Sequence, residues 1–225
     1  MRCKTDTCEV EDYLLARQPI PQKYHDKPKR IGIPVADLPS LAELIGMCVD
    51  AATKLEIQLS LTMGSLLGVE NAASVAVFAS LRNSRARLEA LEAAVTCLDD
   101  DDQSLFLPLL KQYRSLDGQR NDIVHGVWGQ IDGVEDKVLW CSTQTYAVWH
   151  ISDYHKGKIG TLSSEWRKEQ FTEGCKLWPL KDLGAVIMEI EGLQTAIRNF
   201  SGYIRYRDQP AGKNAKLALQ NYLNQ

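Results

Sequence analysis

Three side chains that can carry acid–base and anion-binding chemistry lie close together in QRNDIVHGVWG, residues 119–129. Arg120 is followed directly by Asn121, and His125 comes four residues after the asparagine, just before Gly126. An imidazole can accept or release a proton near neutral pH, and a guanidinium can hold an anion without losing its own charge. The alternative is an ordinary helix end, because a histidine is favourably placed at a helix C-terminus.

The element that must position these residues is a helix predicted over 104–126. At 100° per residue its apolar side chains form one stripe, and a polar flank runs beside that stripe at spacings of three and four residues. The flank consists of Arg114, Asp117, Asn121 and His125. Arg120 falls inside the apolar stripe instead.

Arg120 is the anomaly of this helix, because burying a guanidinium without a partner is expensive. The residue must either be paired or lie where the stripe opens onto a cleft or another subunit. The first alternative predicts a buried ion pair with a carboxylate such as Glu43, Asp50 or Glu56.

A hydrogen bond from Asn121 to the His125 imidazole would fix the ring, and Asp117, one turn earlier, would support Asn121. On a straight helix Arg120 and His125 point about 140° apart. One copy of the motif is therefore an imperfect site, whereas two copies facing each other across a two-fold axis would bring two of each residue around one cleft.

The rest of the chain predicts a mainly α fold: a bundle of four or more antiparallel helices with a small antiparallel β-meander before the last long helix. Residues 1–39 hold five of the eight prolines and predict an extended arm with a short helix at 10–17. The arm either packs on the body or contacts a partner or RNA through Lys23, Lys27, Lys29 and Arg30.

A capping box of Ser40 and Glu43 predicts the start of the first long helix. A second helix is predicted over 72–98, and DDDDQ at 99–103 reads as a solvated, acidic turn before the third helix rather than a metal site. The helical domain spans 40–207 and ends at a polar tail, 208–225, with a weak helix at 213–223.

Period-two alternation predicts two or three short strands over about 127–151, with Asp132-Gly133 in the first turn. SSEWRKEQF, residues 163–171, predicts a short helix, and Pro179 opens the final long one.

The amino-acid composition limits the classes of function that this protein can have. The 225 residues are 44% hydrophobic and 24% charged with a net charge of −3, which argues against a strongly basic nucleic-acid scaffold but leaves room for a local basic cleft. Six scattered cysteines without a CxxC argue against a zinc site. No apolar leader or membrane-length run is present, so we expect a reduced, cytoplasmic protein with no membrane contact, no metal and no cofactor.

Two further groups have two interpretations each. The first group consists of Arg82, Arg85 and Arg87, which either form a solvated helix face or, if that face borders the cleft, contact the backbone phosphates of RNA. Arg82 and Arg85 are the candidates for such contacts. The aromatic residues of the meander either pack in the core or stack on bases. They are Trp128, Trp140, Tyr146 and Trp149.

RNDIVHG resembles the signature of HEPN domains, which is an arginine, then a polar residue, then a histidine four to six residues beyond the arginine. The resemblance implies a helical bundle with the motif near the end of an inner helix, and for many members a metal-independent endoribonuclease that acts as a dimer, often as a toxin or in phage defence. Arg120 would then hold the scissile phosphate, His125 would act as general base or acid, and Asn121 would orient them. Asp117 and Arg114, from the same polar flank of the helix, are the candidates for supporting roles.

The resemblance also implies RNA as substrate, a homodimer with the site at its interface, and an antitoxin as a further partner. Other members are non-catalytic modules that dimerise or bind a nucleotide or protein, which is the second hypothesis. The third is an unrelated helical protein in which Arg120 is a buried ion pair and His125 a helix cap.

Overall fold

The computed structural model describes residues 18–69, 71–157 and 173–224. The predicted helices at 10–17 and 163–171 lie outside these ranges. In chain order the elements are β1 (Gln18–Pro19), β2 (Lys29–Ile31), α1 (Pro39–Leu67), α2 (Asn71–Ser80), α3 (Ser84–Val95), α4 (Asp100–His125), β3 (Val127–Ile131), β4 (Val134–Cys141), α5 (Thr143–Gly157), β5 (Cys175–Pro179), α6 (Leu180–Arg205) and α7 (Pro210–Leu223). The predicted mainly α fold with a small antiparallel sheet before the last long helices is confirmed.

The three longest helices, α1, α4 and α6, enclose the core. Their buried side chains recur three and four residues apart, so each helix presents one apolar face to the other two. α4 runs antiparallel to α6, since Asp102 in its first turn contacts Tyr203 near the end of α6. α1 and α6 run parallel, because the hydroxyls of Ser65 and Ser201, both near the ends of these helices, lie 2.8 Å apart.

Two helix starts differ from prediction. α1 begins at Pro39 with Leu38 as its N-cap residue and has no side-chain cap, so the predicted Ser40 capping box is not formed. The helix predicted over 72–98 is two helices, α2 and α3, because the Asn83 side chain accepts a hydrogen bond from the Ala86 backbone N–H at 2.7 Å and starts a new helix.

The sheet is five-stranded and antiparallel, in the order β1-β5-β4-β3-β2. Asp132 and Gly133 form the predicted two-residue turn between β3 and β4, and Gly133 has a φ of 71° that favours glycine there. The arm supplies both edge strands, β2 beside β3 and β1 beside β5. The described part of the arm therefore packs on the body, as one of the two interpretations predicts.

Of the two or three strands predicted over about 127–151, two are formed, β3 and β4, because residues 143–157 form α5 instead. The Ser142 hydroxyl accepts a hydrogen bond from the Thr145 backbone N–H at 3.1 Å, which satisfies a donor in the first turn of the helix. Tyr146 and Trp149, three residues apart, then pack against a small apolar cluster on the sheet. The β insertion is thus two strands and a helix.

Two regions predicted to be polar each place at least one side chain in the interior. Asp102, in the predicted acidic turn, lies in the first turn of α4 and is fully buried. α7 occupies most of the predicted polar tail, and its Leu219 is also fully buried.

Gly126 is needed for space rather than for backbone freedom, since its φ is −69°. A Cβ at this position would overlap the Trp140 indole and would lie 2.7 Å from the Asp122 carbonyl oxygen. The same indole donates a hydrogen bond of 2.8 Å to that carbonyl, so it cannot move away freely. The close contact holds the end of α4 against β4.

We expect Gly126→Ala to lower the free energy of unfolding by about 1–3 kcal/mol, the usual cost of overpacking. Gly118→Ala is the matched control on the same helix, because a Cβ there meets nothing within 4 Å. That change should stabilise by up to about 1 kcal/mol through helix propensity. Urea unfolding of both variants measures the difference, and equal effects would contradict the steric argument.

Among the described residues no single helix combines the length and apolar character of a membrane span. The bent pair of α1 and α2, which turns by 119°, meets those criteria together, on length and composition alone.

Candidate functional site

The Arg120 side chain is half-buried on α4 and faces α1. Its Nη1 donates a hydrogen bond of 2.8 Å to the Asn121 side-chain oxygen. Its Nε is buried and has no hydrogen-bond partner within the described ranges. The guanidinium is therefore held at one end and retains an unused donor at the other.

Two of the three carboxylates predicted as ion-pair partners of Arg120 are paired with other residues instead. Glu56 pairs with Arg87 at 2.7 Å, and Asp50 pairs with Lys54 at 2.6 Å. Glu56 does line the same narrow crevice as Arg120, but its carboxylate is already engaged. Within the part of the chain described, no carboxylate neutralises Arg120 in an ion pair.

Tyr113, three residues before Leu116 on the buried face of α4, lines this crevice as well. Its hydroxyl is buried without a hydrogen-bond partner in the described residues. Burial, aided by the nearby carboxylates of Asp117 and Glu56, raises the pKa of Tyr113, so the hydroxyl keeps its proton at neutral pH. The crevice thus holds two unused donors, from Tyr113 and Arg120.

Asn121 connects Arg120 to Asp117 rather than to the imidazole. While its oxygen accepts from Arg120, its amide nitrogen lies 3.5 Å from a carboxylate oxygen of Asp117, which is a long contact. The predicted support from Asp117 is therefore in place, but the predicted hydrogen bond from Asn121 to His125 is not formed. The Asn121 amide thus lies between the Arg120 guanidinium and the Asp117 carboxylate.

His125 is the last residue of α4 and is exposed. The Thr143 hydroxyl, at the start of α5, donates a hydrogen bond of 2.6 Å to the His125 carbonyl oxygen. This bond satisfies one of the carbonyl groups that every helix C-terminus leaves without an internal partner. The backbone of His125 is anchored while its ring faces outward.

A groove of about 440 Å³ between α3 and α4 leads to this network, with Tyr113 and Asp117 in its lining. Arg85 and Arg114 line it too, but each is paired with a glutamate. Arg85 lies 2.8 Å from Glu89, and Arg114 lies 3.0 Å from Glu92. With Asp117 the groove holds two cations and three carboxylates, so in one copy of the chain it is not positively charged.

The remaining candidates lie elsewhere. Arg82 is exposed in the loop between α2 and α3, not on a helix as predicted. Trp128 and Trp140 are buried in the core, which confirms the packing interpretation for these two aromatic residues. Tyr146 and Trp149 pack on the second apolar cluster.

The structure therefore brings Arg120, Asn121 and Asp117 together, and it presents His125 separately at the surface. Sequence reasoning missed Thr143, because the stretch that holds it was assigned to a strand. The signal was the serine in CST, residues 141–143, which is a good N-cap residue.

Comparisons with models of protein families, with curated proteins and with solved structures found no match for this chain. The likeness to HEPN domains rests on RNDIVHG and on its place at the end of an inner helix.

Proposed function

We propose that this protein is a metal-independent endoribonuclease of the HEPN type, acting as a homodimer in which the ends of two α4 helices face one cleft. The observation that carries the proposal is the state of Arg120. It is half-buried, held by Asn121 at 2.8 Å, not neutralised by a carboxylate in the described residues, and five residues before an exposed histidine on the same helix.

The chemistry follows from these side chains. His125 takes the proton from a ribose 2′-hydroxyl, or gives one to the leaving 5′-oxygen. Arg120 binds the scissile phosphate and stabilises the charge that develops on it. The 2′-oxygen is the nucleophile, so the products are a 2′,3′-cyclic phosphate and a 5′-hydroxyl.

Asn121 has a more specific role than the sequence suggested. By accepting from one guanidinium nitrogen it fixes the plane of Arg120 and leaves other N–H groups for phosphate oxygens. The carboxylate of Asp117 contacts the amide of Asn121 and forms no ion pair with the guanidinium. The arginine therefore stays available for an anion.

The two-fold arrangement supplies what one copy lacks. Arg120 faces α1, whereas His125 is exposed at the helix end. A second copy related by a two-fold axis at the end of α4 would place its own Arg120 and His125 across the same cleft.

The alternative is a non-catalytic module that dimerises or binds a nucleotide or protein. The charge of the α3–α4 groove favours it, because Arg85 and Arg114 are already paired with glutamates and leave little positive potential for an RNA strand.

Cleavage of end-labelled RNA in EDTA tests the proposal, with Arg120→Ala compared with wild type. We expect the variant to be slower by about 10²–10³-fold, as when a donor to a developing oxyanion is removed. Arg198→Ala, an exposed arginine on α6, is the control and should cleave at the wild-type rate. Product ends other than a cyclic phosphate, or equal rates in wild type and Arg120→Ala, would reject the proposal. No cleavage by a stable wild-type dimer would favour the binding module.

A further inference from the structure

Cys141 and Cys175 lie directly opposite each other on the neighbouring strands β4 and β5. Paired residues of antiparallel strands have Cα atoms about 4.5–5.5 Å apart and side chains on the same face. That separation is within the range that a disulfide bond spans. Both cysteines are fully buried in the small cluster under α5, and both are free thiols.

The two thiols are in different environments although they are neighbours. Cys141 lies two residues before the first residue of α5, and the N–H groups at a helix N-terminus favour a negative charge. The neighbouring Cys175 thiol lowers the pKa of Cys141, burial opposes this, and the Tyr146 backbone N–H lowers it further. The Cys141 thiol also lies 3.4 Å from the Ser142 carbonyl oxygen, to which it donates when protonated. The neighbouring Cys141 and burial both raise the pKa of Cys175.

We infer that Cys141 and Cys175 are a redox-active dithiol site, with Cys141 as the nucleophile, Cys175 as the resolving thiol and hydrogen peroxide as the oxidant. The inference does not depend on the ribonuclease proposal. The Cys141 thiol releases its proton and the thiolate attacks one peroxide oxygen. The O–O bond breaks, the departing hydroxide takes up the released proton and leaves as water, and the product is a sulfenic acid. Cys175 then attacks the sulfenic sulfur, an S–S bond forms, and a second water leaves. Two thiols are oxidised by two electrons, and one peroxide is reduced to two waters.

Burial selects the class of oxidant. A fully buried thiol is closed to a bulky or charged reagent, whereas hydrogen peroxide is small and uncharged. The other two described cysteines serve as internal references. Cys97 is exposed, and Cys48 is buried with a pKa that burial raises. Neither has a second cysteine opposite it on a neighbouring strand among the described elements.

The test is time-resolved oxidation of the folded full chain by hydrogen peroxide, followed by alkylation and non-reducing peptide mapping. We expect a Cys141–Cys175 disulfide that dithiothreitol reverses. We also expect Cys141 to lose its free thiol faster than Cys48, because its pKa is lowered whereas burial raises the pKa of Cys48. The exposed Cys97 should form no intramolecular disulfide.

Cys175→Ser separates the two steps. Without a resolving thiol, Cys141 should accumulate as a sulfenic acid that dimedone traps when the peroxide-treated protein is unfolded in its presence, while Cys141→Ser should leave Cys175 unmodified. Because wild-type mapping needs no variant, a variant that fails to fold leaves the test intact. Oxidation of Cys141 no faster than Cys48, or a disulfide seen only after denaturation, would overturn the inference.

Discussion

Replacing His125 by alanine is expected to slow RNA cleavage by about 10²–10⁴-fold, the usual contribution of a positioned general acid or base. The effect should come without loss of fold, because the ring is exposed and the Thr143 bond is to the His125 backbone, which alanine keeps. Single-turnover cleavage with EDTA present measures the rate, and urea unfolding checks that stability is unchanged.

His150→Ala is the matched control, since His150 is an exposed histidine on α5 whose ring packs edge to face with the Tyr146 ring. It should cleave RNA at the wild-type rate. An equal loss of rate in both histidine variants would point to a general effect on the protein rather than to catalysis by His125.

Mixing the two inactive variants tests the shared site directly. If each site takes its arginine from one copy and its histidine from the other, a dimer of Arg120→Ala with His125→Ala contains one intact site. Half of the dimers in an equal mixture are of this kind, so about one quarter of the wild-type activity should return. No recovery, although mixed dimers form, would place both residues of a site in one copy.

The second large effect is on stability. Asp102→Ala is expected to lower the free energy of unfolding by about 2–4 kcal/mol, because it removes a buried charged acceptor and leaves its partners unsatisfied. The Asp102 carboxylate accepts a hydrogen bond of 2.8 Å from the Tyr203 hydroxyl and forms an ion pair with Arg207. Arg207 also reaches Asp99 at 3.1 Å, and Lys216 of α7 donates to the Tyr203 hydroxyl at 3.3 Å.

This network joins the start of α4 to the end of α6 and to α7. Asp101→Ala is its control, because Asp101 is exposed in the same turn and contributes through the helix dipole alone, worth about 0.3–1 kcal/mol. Urea denaturation of both variants gives the comparison. Equal losses would mean that the buried contacts of Asp102 add nothing beyond its place in the first turn.

The acidic run at 99–102 shows why one sequence pattern can have two outcomes. Four consecutive aspartates read as solvated, and three of them are exposed. The helix that they begin turns Asp102 inward. Tyr203, near the end of α6, and Arg207, just after that helix, contact it there from about a hundred residues later in the chain. Only the packing of α4 against α6 could show which aspartate that would be.

Local physical chemistry was sufficient for several features of this protein. The apolar periodicity of the three long helices predicted them, because a helix must bury one face. Asp132-Gly133 predicted the hairpin turn, because glycine reaches the positive φ that the turn requires. Gly126, which directly follows His125, predicted the end of α4.

Tertiary structure decided what depends on partners distant in the chain. The arm's edge strands β2 and β1 pair with strands about 100 and about 160 residues away in the chain. Residues 143–157 are helical because Ser142 caps them and the sheet offers an apolar surface. Arg120 stayed ambiguous for the same reason. Its helix position marked it as unusual, but whether Glu56 would neutralise it depended on Arg87, which reaches Glu56 from another helix. A sequence determines which side chains can act, whereas packing determines which of them remain free to do so.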